Sequence, residues 1–376
     1  MTSLTLAGRT LLPDGALIES TVRVEGDRIA EVRAGADPRA DLVTAGWIVP
    51  GLIDLQVNGG FGFDLSVDAG SVAALAAKLP ATGVTSFLPT LVSAPLESYP
   101  GLLRDLEQAA RTARGAHILG IHLEGPYLNP QRAGAHNPDY LRAPAVSEID
   151  PWAGSPSVRL VTLAPELPGA LNLIAFLRAR GIAISAGHSN ASYAEAMTAF
   201  RAGVSWGTHL FNAMSPFAHR EPGLAGALLA SDVPCGLIVD GVHAHAAAVK
   251  MAWRAKGPRG LTLVTDAMSA MGMPPGRYSL GDRSVIVDTT SARLDDGTLA
   301  GSILQMDAAI RNMIDFAGCS LADAIAMASA TPARVIGVND RKGWIAPHFD
   351  ADLVVLDDSL HVELTVVGGQ VLYSRS

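Results

Sequence analysis

IAISAGHSNASYAEAMTAFRAGVSWGTHLFN, residues 182–212, is the stretch on which the fold turns. IAISAGHS (182–189) and VSWGTHLFN (204–212) are short and largely apolar, as strands of a parallel sheet covered on both faces are. Between them SYAEAMTAFRAG has a helical pattern and stops at a basic residue and a glycine. A strand, a helix and a second strand make one βα repeat of a parallel sheet. The same alternation continues in both directions. Upstream lie GLIDLQV (51–57), TSFLPT (85–90), HILGIHLEG (117–125) and VRLVTLAPE (158–166); downstream lie CGLIVDGVH (235–243) and LTLVTDAM (261–268). Helical patterns such as SVAALAAKLPATG, LLRDLEQAARTAR, ALNLIAFLRARG and HAAAVKMAWRAKG separate several of them. Eight such strands close naturally into a (β/α)8 barrel.

The chain ends have a different texture. Residues 1–50 contain LTLAGRTLLPDG and STVRVEGDRIAEVRAG, short strands with Asp-Gly and Gly-Asp turns, and 340–376 finish in ADLVVLDDSLHVELTVVGGQVLYSRS. Neither piece is large enough to fold alone, so the expected layout is a small β-sandwich of residues 1–50 plus 340–376 beside a catalytic barrel of 51–339. The stretch 276–300, GRYSLGDRSVIVDTTSARLDDGTLA, reads as hairpins inserted after the eighth strand. No internal repeat is visible.

Composition narrows the function classes. The 376 residues are 49% hydrophobic and 17% charged, with a mean hydropathy of +0.27. No apolar run reaches the ~18–20 residues of a membrane span, and the first residues lack the basic flank and apolar stretch of a signal peptide. Two cysteines, Cys235 and Cys319, read as ordinary buried thiols. A cytoplasmic enzyme is expected. The net charge of −8, with no run of Lys or Arg, argues against a nucleic-acid partner. A small anion remains compatible, because one local Arg or His can hold a phosphate against the global field.

Barrel active sites lie at the carboxyl ends of the strands. Those ends carry Gln56 and Asn58, His122 and Glu124, His188, His209, Asp240 and His243, and Asp266. A barrel interior prefers branched apolar residues, so carboxylates and imidazoles recurring there need a cause. Glu124, His188 and His209 offer a carboxylate and two imidazoles to one divalent metal and leave a position for water. Asp266 is placed to take a proton and pass it to a leaving amine. His117, His245, His348 and His361 read as structural, and His122 as core packing. NGGFG (58–62) lacks the lysine and spacing of a phosphate loop and reads as a tight turn. Arg220 and His243 are candidate phosphate contacts, since a guanidinium presents a planar fork of donors.

PGLIDLQVNG, HLEGPYLN, AGAHNP, AGHSNA, THLFNAM, REPGLAGA, DGVH, TDAM and LAGS occur in this order along the chain. From about residue 46 to the C-terminus this pattern resembles the N-acetylglucosamine-6-phosphate deacetylases, a branch of the amidohydrolase superfamily. HLEGP, THLFNAM and the joint order are specific; PGLID and ADLVVLD mark the wider superfamily. The resemblance implies Glu124, His188 and His209 as metal ligands, Asp266 as catalytic acid and base, and His136 beside the scissile carbonyl. It implies sugar and phosphate contacts at Ala135, Asn212, Ala213, Leu299, Ala300 and Gly301. Arg220 and His243 match phosphate positions that a homodimer supplies across its interface. Gln56-x-Asn58 stands where many relatives have His-x-His, which shifts the expectation from two metals to one: zinc first, with iron, cobalt or manganese as alternatives. A second, weak metal near Gln56 and Asn58 stays open. The rival readings are an N-acetylgalactosamine-6-phosphate deacetylase, another amidohydrolase, and an inactive barrel that only binds.

Overall fold

The computed structural model describes residues 3–153, 155 and 157–375. Its centre is a parallel sheet whose strands follow chain order: Leu52–Val57, Val84–Val92, Ile121–Glu124, Val158–Leu163, Ala183–Ala186, Trp206–Gly207, Cys235–Leu237 and Leu261–Leu263. The short strand His117–Ile118 pairs beside the second of these. The first and eighth strands meet through a parallel bridge between Val57 and Ala267 and a hydrogen bond from Asn58 N to Ala267 O at 2.9 Å. Asp54 adds a link across the same seam, accepting from Thr265 Oγ1 at 2.5 Å. The result is the expected (β/α)8 barrel.

Several strands are shorter than their apolar runs, and they stop where the polar residues begin. His188, His209 and Asp266 have φ of 46°, 29° and 50°. Such left-handed backbone breaks a ladder and is costly for non-glycine residues, so it persists only where the surroundings enforce it. Here it lifts each chain out of its strand at the carboxyl end of the barrel.

The helix expected after the fifth strand is Tyr193–Ala202. Ser192 accepts from Glu195 N while the Glu195 carboxylate accepts from Ser192 N, a reciprocal cap, and Gly203 ends the helix. Helices the apolar pattern left unmarked include Gly223–Ala230 and the run Met306–Ala317, Leu321–Ala328 and Ala330–Val335. GLAGALLA (223–230) is buried over most of its length and has no polar face to show a period.

Both chain ends feed one seven-stranded sheet, ordered Gln370–Ser374, Val362–Val367, Leu353–Leu356, Leu42–Pro50, Ser3–Leu11, Leu17–Glu25 and Arg28–Ala34. Alternation sorts its two faces. Ile48, Leu353 and Val355 join Leu6, Val22, Val24 and Ile29 in a core of their own, whereas Val49, Val354 and Leu356 belong to the barrel's cluster. The inserted segment is a three-stranded antiparallel sheet, Gly276–Leu280, Arg283–Val287 and Ala292–Arg293. Leu280, Val285 and Val287 pack there on Met268 and Ala300, beside the ends of the barrel strands.

Candidate active site

Three strand ends bring Glu124, His188 and His209 to one point. Glu124 Oε1 lies 3.1 Å from Nε2 of His188 and 3.1 Å from Nε2 of His209, and the two nitrogens are 3.0 Å apart. All three side chains are buried. His188 Nδ1 faces the carbonyl of Arg132 at 2.9 Å, so that nitrogen carries the proton and Nε2 presents a lone pair. A lone pair of His188 therefore faces a carboxylate oxygen that is also an acceptor. Such an arrangement is repulsive unless a cation lies between them. Donors around a tetrahedral zinc at ~2.0–2.1 Å are about 3.3 Å apart, close to these separations. The residues fit a divalent metal. Burial works against the charge of Glu124, yet the two imidazoles hold its carboxyl well below the usual range.

Asp266 sits beside this group. Its Oδ1 accepts from Asn58 Nδ2 at 2.7 Å and from Gln56 Nε2 at 3.0 Å, and Gln56 Nε2 also reaches Glu124 Oε1 at 3.1 Å. The amide nitrogens, not the amide oxygens, thus face the carboxylates. Burial, reinforced by the charge of Glu124, pushes Asp266 up to about 6.

His136 comes from the loop after the third strand and packs edge-on against His188, ring centroids 4.5 Å apart. Ser93 N donates to its Nδ1 at 3.2 Å, and Ser93 Oγ lies 2.9 Å from the same nitrogen. Nδ1 is therefore an acceptor and the proton resides on Nε2, which is 3.9 Å from Glu124 Oε2. Burial and the neighbouring His188 push His136 down to about 3, so it is a neutral N–H donor.

These groups line a cavity of about 450 Å³. Ala135, Asn212, Ala213 and His243 line it too, as do Leu299 and Gly301, while Ala300 between them is fully buried. Arg220 is elsewhere: it is exposed, contacts His219 and is not among the lining residues. His122 is core, its Nε2 2.7 Å from Thr162 Oγ1 and its Nδ1 3.1 Å from Leu55 O. His245 caps the helix Ala246–Gly260. Sequence reasoning missed Ser93, Arg132, Arg293 and Thr298. Arg132 is braced on Asn190 Oδ1 at 3.0 and 3.1 Å, and Arg293 on Gly297 O at 2.8 Å. The hairpin reading of 276–300 was the available signal for Arg293 and Thr298, since an insertion after strand eight must lie over the strand ends.

Comparison with known proteins agrees with this geometry. Residues 47–372 match the model of the amidohydrolase family. The N-acetylglucosamine-6-phosphate deacetylase of Bos taurus is 42% identical, over 96% of this chain and 94% of its own. An N-acetylgalactosamine-6-phosphate deacetylase of Escherichia coli O157:H7 is 39% identical over 99% of both. Among solved structures, an Asp-to-Ala variant of the Mycobacterium smegmatis N-acetyl-D-glucosamine-6-phosphate deacetylase, in complex with N-acetyl-D-glucosamine-6-phosphate, superposes with a TM-score of 0.93. It shares 37% identity and covers 100% of each chain.

Proposed function

We infer the reaction from one premise: the chain belongs to the amidohydrolase family and, within it, to the N-acetylglucosamine-6-phosphate deacetylases. It hydrolyses the N-acetyl group of N-acetyl-D-glucosamine 6-phosphate, giving D-glucosamine 6-phosphate and acetate, a step of amino-sugar breakdown and recycling. The observation that carries this is the convergence of Glu124, His188, His209 and Asp266 from four separate strand ends on one cavity.

Glu124, His188 and His209 would hold the metal on which the family depends. When bound, the ion supplies Lewis acidity, which acidifies water and polarises a carbonyl. The chain's own groups account for the proton movements. Asp266 accepts the proton of the attacking water, held for the task by the amides of Asn58 and Gln56. Burial raises Asp266 above an ordinary aspartate, which makes it the better base. His136 aims Nε2–H at the developing oxyanion, a donor already in place before reaction. As the C–N bond breaks, Asp266 returns its proton to the leaving nitrogen, giving a neutral amine and acetic acid; the acid then loses the water's second proton and leaves as acetate.

We assign the remaining roles on the same basis. The ion is a single zinc, which suits a nitrogen-and-oxygen donor set, with iron, cobalt or manganese as alternatives. Ala135, Asn212, Ala213, Leu299 and Gly301 contact the sugar phosphate, and the buried Ala300 holds the loop between the last two in place. His243 lines the cavity of its own chain; Arg220 is exposed outside that cavity, a position that suits a contact made from a second copy in a homodimer. Residues 51–339 are the catalytic unit, and 1–50 with 340–376 the accessory one. No helix among the described residues is long and apolar enough to cross a membrane. A phosphosugar dianion does not cross a bilayer unaided, which supports a cytoplasmic location.

Acetate release from N-acetylglucosamine 6-phosphate, N-acetylgalactosamine 6-phosphate and free N-acetylglucosamine tests this reading. The highest kcat/KM is expected on the first. A higher value on the galacto epimer would move the chain beside its Escherichia coli relative, and a higher value on the free sugar would sink the phosphosugar assignment.

A further inference from the structure

The loop after the seventh strand contains a pair that the mechanism above leaves unused. Asp240 Oδ2 lies 2.6 Å from Nδ1 of His243, and its Oδ1 accepts from the backbone N–H groups of Val242 and His243, both at 2.8 Å. The loop is tied to the helix Met306–Ala317, where Asn312 Nδ2 donates to Val239 O at 2.8 Å. Both side chains are nearly buried, 10% exposed for Asp240 and 6% for His243. Although burial opposes its charge, the imidazole and the backbone donors keep the carboxyl of Asp240 below its ordinary range. An ionised carboxylate has no proton to give, so the proton in the 2.6 Å bond belongs to His243 Nδ1. The other nitrogen, Nε2, has no partner among the described residues, and His243 lines the active-site cavity. With the proton on Nδ1 the tautomer is set, and Nε2 is the ring atom left free for a ligand.

We propose that Asp240 is a positioning residue for the substrate: it fixes the ring of His243 and its Nδ1 proton, so that Nε2 is held facing the bound phosphosugar. Asp240 itself touches no substrate, because its oxygens are already occupied by three donors. A carboxylate behind an imidazole fixes its tautomer and orients its ring. This inference rests on the phosphosugar reading given above. A plain structural role, in which Asp240 only closes the turn at Gly241, predicts something different for an isosteric change.

The test is a double-mutant cycle read as KM and kcat on N-acetylglucosamine 6-phosphate, with Asp240→Asn, His243→Ala and the pair. The asparagine keeps an acceptor for the two backbone donors but removes the charge and turns an N–H towards Nδ1. Asp240→Asn is expected to raise KM about five- to tenfold while kcat stays within about twofold. In the His243→Ala background the same change should move KM by less than about twofold, because the group it acts through is gone. Should Asp240→Asn lose soluble yield, Asp240→Ser, which also accepts from the backbone, completes the cycle. Additive losses in the two backgrounds, or a fall in kcat at constant KM, would overturn the proposal. Wild-type acetate release is measured in the same assay: its absence would defeat the phosphosugar reading, whereas additivity in an active enzyme defeats only the role of Asp240.

Discussion

Among the described residues, two groups of His, Asp and Glu bring three ligand-type atoms within 4.8 Å of one another: Glu124, His188 and His209 at the carboxyl end of the barrel, and His117, Asp350 and Asp352 where the terminal sheet meets it. By residue type the two look alike. Their surroundings separate them. Lys342 Nζ lies 2.5 Å from Asp352 Oδ2, 2.9 Å from Asp350 Oδ2 and 3.0 Å from His117 Nδ1, and Arg28 and Arg341 also bind Asp350, at 2.5 and 2.6 Å. The place a metal would take is filled by an ammonium group of the chain itself. Among the described residues no lysine or arginine stands between Glu124, His188 and His209, and the lone pair of His188 Nε2 faces the Glu124 carboxylate. A cavity of about 530 Å³ does lie at the seam, larger than the one over the strand ends. Its size is no argument for chemistry there, because the carboxylates it exposes are already neutralised. The lesson is that a cluster of ligands indicates a metal only when the protein has not supplied its own cation.

Perturbing each region should have effects of different kinds. The largest is expected at the strand ends: Asp266→Asn should lower kcat by at least ~10²-fold, the low end for a positioned acid–base group, with substrate binding largely kept. Near-normal turnover would mean that another residue is the base. At the seam, Lys342→Met should leave the three carboxylate and imidazole groups facing one another and cost about 3 kcal/mol of stability, the lower part of the range for a broken buried pair, because Arg28 and Arg341 remain. Denaturant unfolding measures this, and kcat of the folded variant should stay near wild type. A lost kcat at unchanged stability would erase the distinction between the regions.

Arg220→Ala comes next. It should weaken kcat/KM for the 6-phosphate substrate about ten- to a hundredfold and barely alter the slow reaction with free N-acetylglucosamine. Mixing Asp266→Asn chains with Arg220→Ala chains should restore some activity, since one site of a mixed dimer then holds both groups intact. Equal losses on phosphorylated and free sugar would refute the phosphate role.

The smallest effect concerns acid. Burial alone would raise Asp352, but His117 and Lys342 hold it down to about 2, against 3.8 for an unperturbed aspartate. A carboxyl depressed by folding contributes stability that is complete above its unfolded value and drains away as pH falls through the folded one. Stability that Asp352 contributes should therefore be constant above about pH 4 and fall between 4 and 2. Lys342→Met should flatten that acid limb; an unchanged limb would place the depression on other groups.

Much of this was legible in the residues. The β-rich runs located all eight barrel strands, because parallel strands buried on both faces read as continuous apolar segments. Glu124, His188, His209 and Asp266 stood out because an apolar barrel gives such residues no packing reason to recur at strand ends. The strand limits were not legible: residue type does not reveal that His188, His209 and Asp266 adopt left-handed backbone. Ser93 was invisible for another reason. A serine after the second strand is unremarkable until folding sets it against His136, forty-three positions away, and fixes that ring's proton. Lys342 likewise looks like any surface lysine, and only the meeting of the terminal sheet with the barrel buries it between two aspartates.

Elemental analysis of exhaustively dialysed protein is the most direct test of the contrast between the two clusters. Wild type should retain close to one equivalent of a divalent metal per chain, His209→Ala should lose it together with acetate release, and Asp352→Asn should retain it in whatever fraction remains folded. Two tightly held equivalents, both needed for activity, or an ion kept by His209→Ala and lost from Asp352→Asn, would contradict the account.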